Sequence, residues 1–212
     1  MIQVKVFYFN ELRVCCYVVW DETKECVIID PGCFSDNELS RLVKFVNDND
    51  LKPVKLLLTH GHFDHVMGLA DVAHQWNLTT YVHPDDIGQI KRATRYCSMF
   101  GWKIKEPDTE RIDLQDNQEV TFGNSKLEVI HTPGHTQGGV CFYNEEQNIL
   151  FSGDTLFAGS IGRTDHPGGN YDQLMKSIRT KIMILPENTT VYPGHGLETT
   201  IGQEIKSNPF LQ

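Results

Sequence analysis

The segment Thr59-His60-Gly61-His62-Phe63-Asp64-His65 places four potential metal ligands within six residues. His60 and His62 are two apart, so in an extended chain both imidazoles point the same way. Asp64 and His65 follow where the chain bends toward a helix. Imidazoles joined by a carboxylate suit zinc, iron or manganese. A solvated loop in which Asp64 only caps a helix would account for one histidine, not for this cluster. Three later stretches supply what a two-metal site would still lack. His131-Thr132-Pro133-Gly134-His135-Thr136 ends a predicted strand, and its Pro-Gly turn can present His135 inward. Ser152-Gly153-Asp154-Thr155 ends another, with a carboxylate whose two oxygens can bridge two cations. Tyr192-Pro193-Gly194-His195-Gly196 ends the last strand. Gly134, Gly153 and Gly194 are expected to form the tight turns that bring these ligands together.

The elements that must position these residues are legible in the apolar pattern. IQVKVFYF, VCCYVVW and CVIID read as strands, with polar DETKE as the turn between the second and third. DNELSRLVKFVND puts Leu39, Leu42, Val43 and Val46 at helical spacing, with Asp36 as the expected N-cap. VKLLLT is a short buried strand ahead of the histidine cluster, and MGLADVAHQW reads as the helix after it. YVHP is a further strand, and DDIGQIKRATRYCSMF one helix after Pro84. EVTF, KLEVIHT, GVCFYN and NILFSGD are strands, YDQLMKSIRTKIM an amphipathic helix, TVYPGH a last strand and turn, and TIGQEIKS a closing helix. Strands and helices interleave in both halves, so the class is α/β (α+β), with sheets covered by helices. The polar residues of interest fall at strand ends, where a rigid scaffold can carry a site.

The chain of 212 residues, with no linker, low-complexity tract or repeat, is expected to form one domain over 1–212. Hydrophobic residues make up 40% and charged residues 22%, a globular profile. A net charge of -9 speaks against nucleic acid or an anionic membrane as partner. The amino terminus carries no leader pattern and no apolar run suggests a membrane span, so the expected location is cytoplasmic. The six cysteines show no paired C-x-x-C spacing and read as reduced, buried small hydrophobes. Adjacent Cys15 and Cys16 should face opposite sides of a strand.

HGHFDH, HTPGHT, SGDTLF and YPGHG, in this order, resemble the motifs of the metallo-β-lactamase superfamily across nearly the whole chain. The resemblance implies a four-layer αββα sandwich with metals at one edge of the paired sheets. It implies one metal on His60, His62 and His135, a second on Asp64, His65 and His195, and Asp154 bridging them. Within the superfamily the chain is most similar to short, single-domain hydroxyacylglutathione hydrolases of the glyoxalase II group. The Asp154 position departs from β-lactamases of this fold and argues against antibiotic hydrolysis. LFAGSIGRTDHPGG resembles the same group, and there Arg163 would hold the carboxylate of an anionic thioester. The tyrosines that usually accompany that basic residue and follow the last histidine have no match at Asp165 and Leu197. The resemblance also implies that longer relatives complete the glutathione pocket with a helical domain, and no counterpart of it is expected after His195.

Two divalent ions, zinc before iron or manganese, would sit about 3.5–4 Å apart and lower the pKa of a shared water toward neutrality. The resulting hydroxide would attack a thioester carbonyl, Asp64 both ligating and orienting it, and sulfur would leave toward a metal that ligates it well. Asp30, in the turn after the third strand, is the expected second-sphere partner of a ligand imidazole. His74, His83, His131 and His166 are assigned structural or surface roles. Lys91, Arg92, Arg95, Lys103 and Lys105, near Met99, Phe100 and Trp102, read as a solvated amphipathic helix rather than a lid. Two enzymatic alternatives remain: a mononuclear-iron persulfide dioxygenase using His60, His135 and Asp154, and a lactone or ester hydrolase. A non-catalytic metal-stabilised scaffold would show itself by loss of folding, not of activity alone, in His62→Ala. Oligomeric state is open.

Overall fold

The computed structural model describes residues 1–212. The apolar runs at the start become strands β1 (Gln3–Phe9), β2 (Val14–Trp20) and β3 (Glu25–Ile29), paired antiparallel in that order. Helix α1 (Asp36–Asp48) returns the chain to β4 (Lys52–Leu57), parallel to β3. Helix α2 (Leu69–Trp76) precedes β5 (Thr80–Val82), and helices α3 (Ile87–Ile90) and α4 (Ala93–Met99) precede β6 (Arg111–Asp113). These last strands add in parallel, giving a six-stranded sheet in sequence order.

The second sheet starts as an antiparallel meander of β7 (Glu119–Phe122), β8 (Ser125–His131), β9 (Val140–Asn144) and β10 (Ile149–Gly153). A small hairpin, β11 (Leu156–Phe157) and β12 (Ser160–Ile161), leads to helix α5 (Tyr171–Ser177). Strand β13 (Thr190–Pro193) then pairs parallel with β10, and β14 (Thr199–Thr200) closes that edge before helix α6 (Ile201–Ser207).

Strand β2 shows how the layers are held. Its residues are buried on both faces, so alternation sends Cys16, Val18 and Trp20 one way and Cys15, Tyr17 and Val19 the other. The first set packs with Leu42 and Val46 of α1 and Val72 of α2. The second meets Leu127, Val129, Phe142 and Phe151 of the facing sheet. On the far side of that sheet, Leu150 and Val191 pack with Leu174 of α5 and Ile201 of α6. The layers therefore run helix, sheet, sheet, helix: the αββα sandwich. Each fully buried Leu, Val or Phe contributes roughly 1.5–3 kcal/mol. All six cysteines are free and buried, and burial pushes the thiols of Cys26 and Cys33 up to about 12. No helix is long and apolar enough to cross a membrane.

Three local expectations change. The N-cap of α1 is Ser35, not Asp36: its hydroxyl accepts from Glu38 N–H while the Glu38 carboxylate accepts from Ser35 N–H, a reciprocal capping box. The segment after Pro84 is not one helix. It breaks at Lys91–Arg92, which lets Ile90 and Ala93 both reach the core and directs α4 across the front of the site. The helix of α5 ends in a widened turn over Ile178–Ile182, closed by Met183 N–H to Ile178 O, with Leu174, Ile178 and Ile182 kept inside.

Candidate metal centre

All seven residues singled out as ligands lie beyond the carboxyl ends of β4, β8, β10 and β13, on one edge of the sandwich. Backbone bonds stitch that edge together. Val140 N–H donates to Thr59 O at 2.8 Å, joining the sheets immediately before His60. Gly194 N–H donates to Gly153 O at 2.8 Å, setting His195 beside Asp154. Gly134 and Gly153 adopt the left-handed conformations that their turns require, with φ of 137° and 49°. Gly194 does not; it is small for another reason, since a Cβ there would collide with Asp154 Oδ1.

The ligand atoms fall into two sets. His60 Nε2 and His135 Nε2 approach His62 Nδ1 at 3.1 and 2.9 Å. Asp64 Oδ2 lies 3.1 Å from His195 Nε2, and His65 Nε2 lies 3.3 Å from the same atom. Within each set the three atoms are mutually within 4.8 Å. Asp154 stands between, with Oδ2 3.5 Å from His135 Nε2 and Oδ1 3.5 Å from His65 Nε2. Its Oδ1 is buried with no hydrogen-bond partner.

The outward nitrogens fix which way the lone pairs face. His65 Nδ1 donates to Asp30 Oδ2 at 2.9 Å, His135 Nδ1 to Arg163 O at 2.7 Å, and His195 Nδ1 to Leu12 O at 3.1 Å. His60 Nδ1 lies 3.0 Å from Thr59 Oγ1, whose own proton goes to Asp30 Oδ2 at 2.6 Å. With Nδ1 committed to these partners in all four rings, Nε2 is the nitrogen that each turns toward the centre and that a cation would take. Converging ring nitrogens beside an unpaired buried carboxylate oxygen suit a cation at each set. Asp30, His60 and His65 also cluster, but Asp30 is already engaged by Thr59 N–H, Thr59 Oγ1 and His65, so it acts as an anchor.

The electrostatics of the two sets differ. Burial, reinforced by neighbouring imidazoles, holds His60 well below its ordinary value and His62 at about 3. Burial also lowers His135. These rings are neutral donors at pH 7, ready for a cation. Around His65 burial acts in the same direction, but the carboxylates of Asp64, Asp154 and Asp30 override it and raise the value well above normal. At His195, burial is overridden by the hydrogen bond to Asp64 and the charge of Asp154. Asp64 and Asp154 are held low despite burial, chiefly by His65. The second set therefore attracts positive charge, which a divalent ion supplies.

A cavity of about 660 Å³ opens over both sets. Arg163 lines it, yet its guanidinium forms a bidentate pair with Asp165 at 2.7 and 3.0 Å. His166, assigned above to a structural or surface role, also lines it. Its ring stands edge-on to His62 and His135, with centroids 4.6 and 4.9 Å away, and its Nδ1 is buried without a partner. Its place three residues after Arg163 in GRTDH was the available signal. His131 stays outside, stacked on His83 with Nε2 at 2.9 Å from Gln137 O. Asp86 had no signal at all: fully buried, it accepts from Gly61 N–H, Thr136 Oγ1–H and Gly138 N–H at 2.7, 2.7 and 2.8 Å.

Known proteins resemble this chain in sequence and fold. Hydroxyacylglutathione hydrolase GloC of Haemophilus influenzae is 38% identical over 200 residues, which cover 92% of each chain. The crystal structure of BLEG-1 B3 metallo-beta-lactamase matches with a TM-score of 0.90 at 37% identity, covering 99% of this chain and 100% of that one. TTHA1623, in a di-iron-bound form, matches with a TM-score of 0.88 at 36% identity, covering 98% and 100%. The family model for the metallo-beta-lactamase superfamily spans residues 10–195, a stretch that takes in all seven ligand candidates, and the chain belongs to that superfamily.

Proposed function

We propose that this metallohydrolase cleaves a thioester, S-(2-hydroxyacyl)glutathione, over two divalent cations held by His60, His62 and His135, by Asp64, His65 and His195, and by Asp154 between them. The observation that carries the reading is the buried Asp154 carboxylate beneath an open cavity, with Oδ2 3.5 Å from His135 of one ligand set and 3.8 Å from His195 of the other, and Oδ1 without a hydrogen-bond partner. When bound, such a pair of ions supplies an activated water and polarises a carbonyl.

The chain's own groups do the positioning. Four Nδ1 hydrogen bonds keep the imidazoles aimed inward, so little reorganisation is needed when substrate enters. Asp64, at the cavity floor, has a carboxylate held ionised, able to accept a proton from a water above it. Arg163 is the cation at the mouth for a substrate carboxylate. Its pair with Asp165 is exposed and so worth little, and a second anion can share the guanidinium. Similarity to GloC supports the acyl-glutathione class. Similarity to a di-iron protein keeps iron beside zinc and manganese as the metal, and similarity to a B3 metallo-beta-lactamase puts a β-lactam into the substrate panel.

The test is metal content per chain with cleavage of S-lactoylglutathione in the same preparation. Two ions per chain and turnover abolished by chelation are expected. A single iron with oxygen uptake on glutathione persulfide would establish a dioxygenase instead. Two ions with turnover only of a lactone, ester or β-lactam would keep the hydrolase and remove the thioester.

A further inference from the structure

The cavity has two unlike halves. Near His135 it is lined mostly by polar groups, Gln89, Arg163 and His166, with Ile161 and Pro167 as its apolar members. Near Asp64 and His195 it is lined by Leu12, Phe63, Tyr96, Phe100 and Phe157. Leu12 and Phe157 flank His195, the first through its carbonyl at 3.1 Å and the second with ring centroids 6.5 Å apart. Phe63 lies between His62 and Asp64 in sequence and carries Phe100 stacked on it at 5.8 Å. Phe100 is stacked in turn on Trp102 at 5.0 Å, at the same interplanar angle of 24°.

Phe100 is held in place yet left uncovered, 61% exposed, and its neighbour Met99 is 72% exposed. Leu12, which lines the cavity and holds His195 through its carbonyl, is 45% exposed. Large apolar side chains gathered at the mouth of a site mark a surface that binds something apolar. A ring fixed by two stacks loses little freedom when a ligand covers it. The break between α3 and α4 is what brings Tyr96 and Phe100 to this place.

We propose that Phe63, Tyr96 and Phe100 form the acyl subsite, and that the acyl group it fits carries an aromatic or branched apolar substituent in place of a methyl. This rests on the thioesterase reading above. The polar half, with Arg163, is left for the peptide of the thiol carrier, which places the acyl group over the apolar half.

The experiment compares kcat/KM for S-mandeloylglutathione and S-lactoylglutathione on the metal-loaded protein. A phenyl in place of a methyl, partly buried on this wall, should favour the mandeloyl ester about tenfold. Phe100→Ala should bring the ratio close to one, and Ile184→Ala, an exposed apolar residue outside the cavity, should leave it unchanged. A wild-type ratio at or below one, or a ratio indifferent to Phe100→Ala, overturns the proposal. If neither thioester is cleaved, the thioesterase reading falls, and calorimetric binding of mandelate against lactate to the metal-loaded protein judges the wall alone. Tighter mandelate binding that Phe100→Ala abolishes supports the wall; equal affinities overturn it.

Discussion

Asp30 Oδ2 accepts the Nδ1 proton of His65 at 2.9 Å, with both side chains shut off from solvent. The same carboxylate receives Thr59 N–H on Oδ1 and Thr59 Oγ1–H on Oδ2, so one residue sets the ring orientation of the second ligand set and the strand end that carries the first. Asp30 itself sits at φ 51°, a conformation Asp tolerates better than most residues.

Asp30→Asn keeps the shape but cannot serve all three donors. Either its amide faces Thr59 N–H, or it faces His65 and forces the tautomer that puts a proton on Nε2, where a cation belongs. The variant should fold and bind metal about 10–100-fold more weakly. Chelator competition measures this. Affinity equal to wild type would remove Asp30 from its positioning role.

Asp86 ties the two ligand loops of the first set to one turn, through Gly61 between His60 and His62 and through Thr136 and Gly138 after His135. Asp86→Ala strands buried N–H groups at about 1–3 kcal/mol each and should lower both stability and metal affinity. Asp86→Asn, which can still accept on one oxygen, should recover part of each. Thermal unfolding of the metal-free and metal-loaded forms separates the two effects. A loss of stability identical in both forms would confine Asp86 to a structural role.

How much of this the sequence carried follows from the range of the interactions. His60 and His62 were visible because their spacing and residue types are local, and Asp154 and His195 because each ends a strand. Asp86 was invisible: its partners lie 25 to 52 residues away, and a surface-looking HPDD turn gives no sign of burial. His166 reads as a structural or surface residue in sequence because only tertiary packing sets its ring against His62 and His135. The capping box at Ser35 was local and could have been read, since Glu38 stands three residues on. The break at Lys91–Arg92 has no proline or capping side chain to announce it; burial of Ile90 and Ala93 decides it.

At the end of the sandwich where β2 meets the β7–β8 turn, Asp21 joins the two sheets. Fully buried, it accepts from Thr23 N–H, Asn124 N–H and Ser125 Oγ–H at 2.9, 2.7 and 2.9 Å, and from the Thr23 hydroxyl. Burial opposes ionisation, but these donors outweigh it and hold the carboxyl below its ordinary value. A depressed folded pKa stabilises above the unfolded value of about 4, and that stability fades as pH falls through the folded value. Asp21→Asn should therefore cost about 1–3 kcal/mol at pH 7, and less as the pH drops below about 4. Urea unfolding of the metal-free protein at both pH values measures it. A deficit independent of pH would show that lost packing, not the charge, is responsible.

Gly194 faces the closest quarters in the site. An added Cβ would collide with Asp154 Oδ1 and come within 2.8 Å of His65 Cε1. The backbone cannot retreat, because Gly194 N–H is tied to Gly153 O at 2.8 Å and Gly194 O takes Cys15 N–H at 2.7 Å. The side chain of Asp154 must move, and with it Oδ2, the oxygen that faces both ligand sets. Gly194→Ala should hold fewer than two ions per chain and lose activity by about 100-fold or more, comparable to the upper range for outer-sphere changes at metal sites. Overpacking should cost about 1–3 kcal/mol of stability as well. Gly196→Ala supplies the contrast: nothing lies within 4 Å of its Cβ, but its φ of 85° strains any other residue. It should lose stability of order 1–3 kcal/mol and keep both ions. Metal analysis beside thermal unfolding distinguishes them. Equal metal loss in the two variants would trace the defect to backbone strain around His195, and full occupancy in Gly194→Ala would show that Asp154 is not needed between the ions.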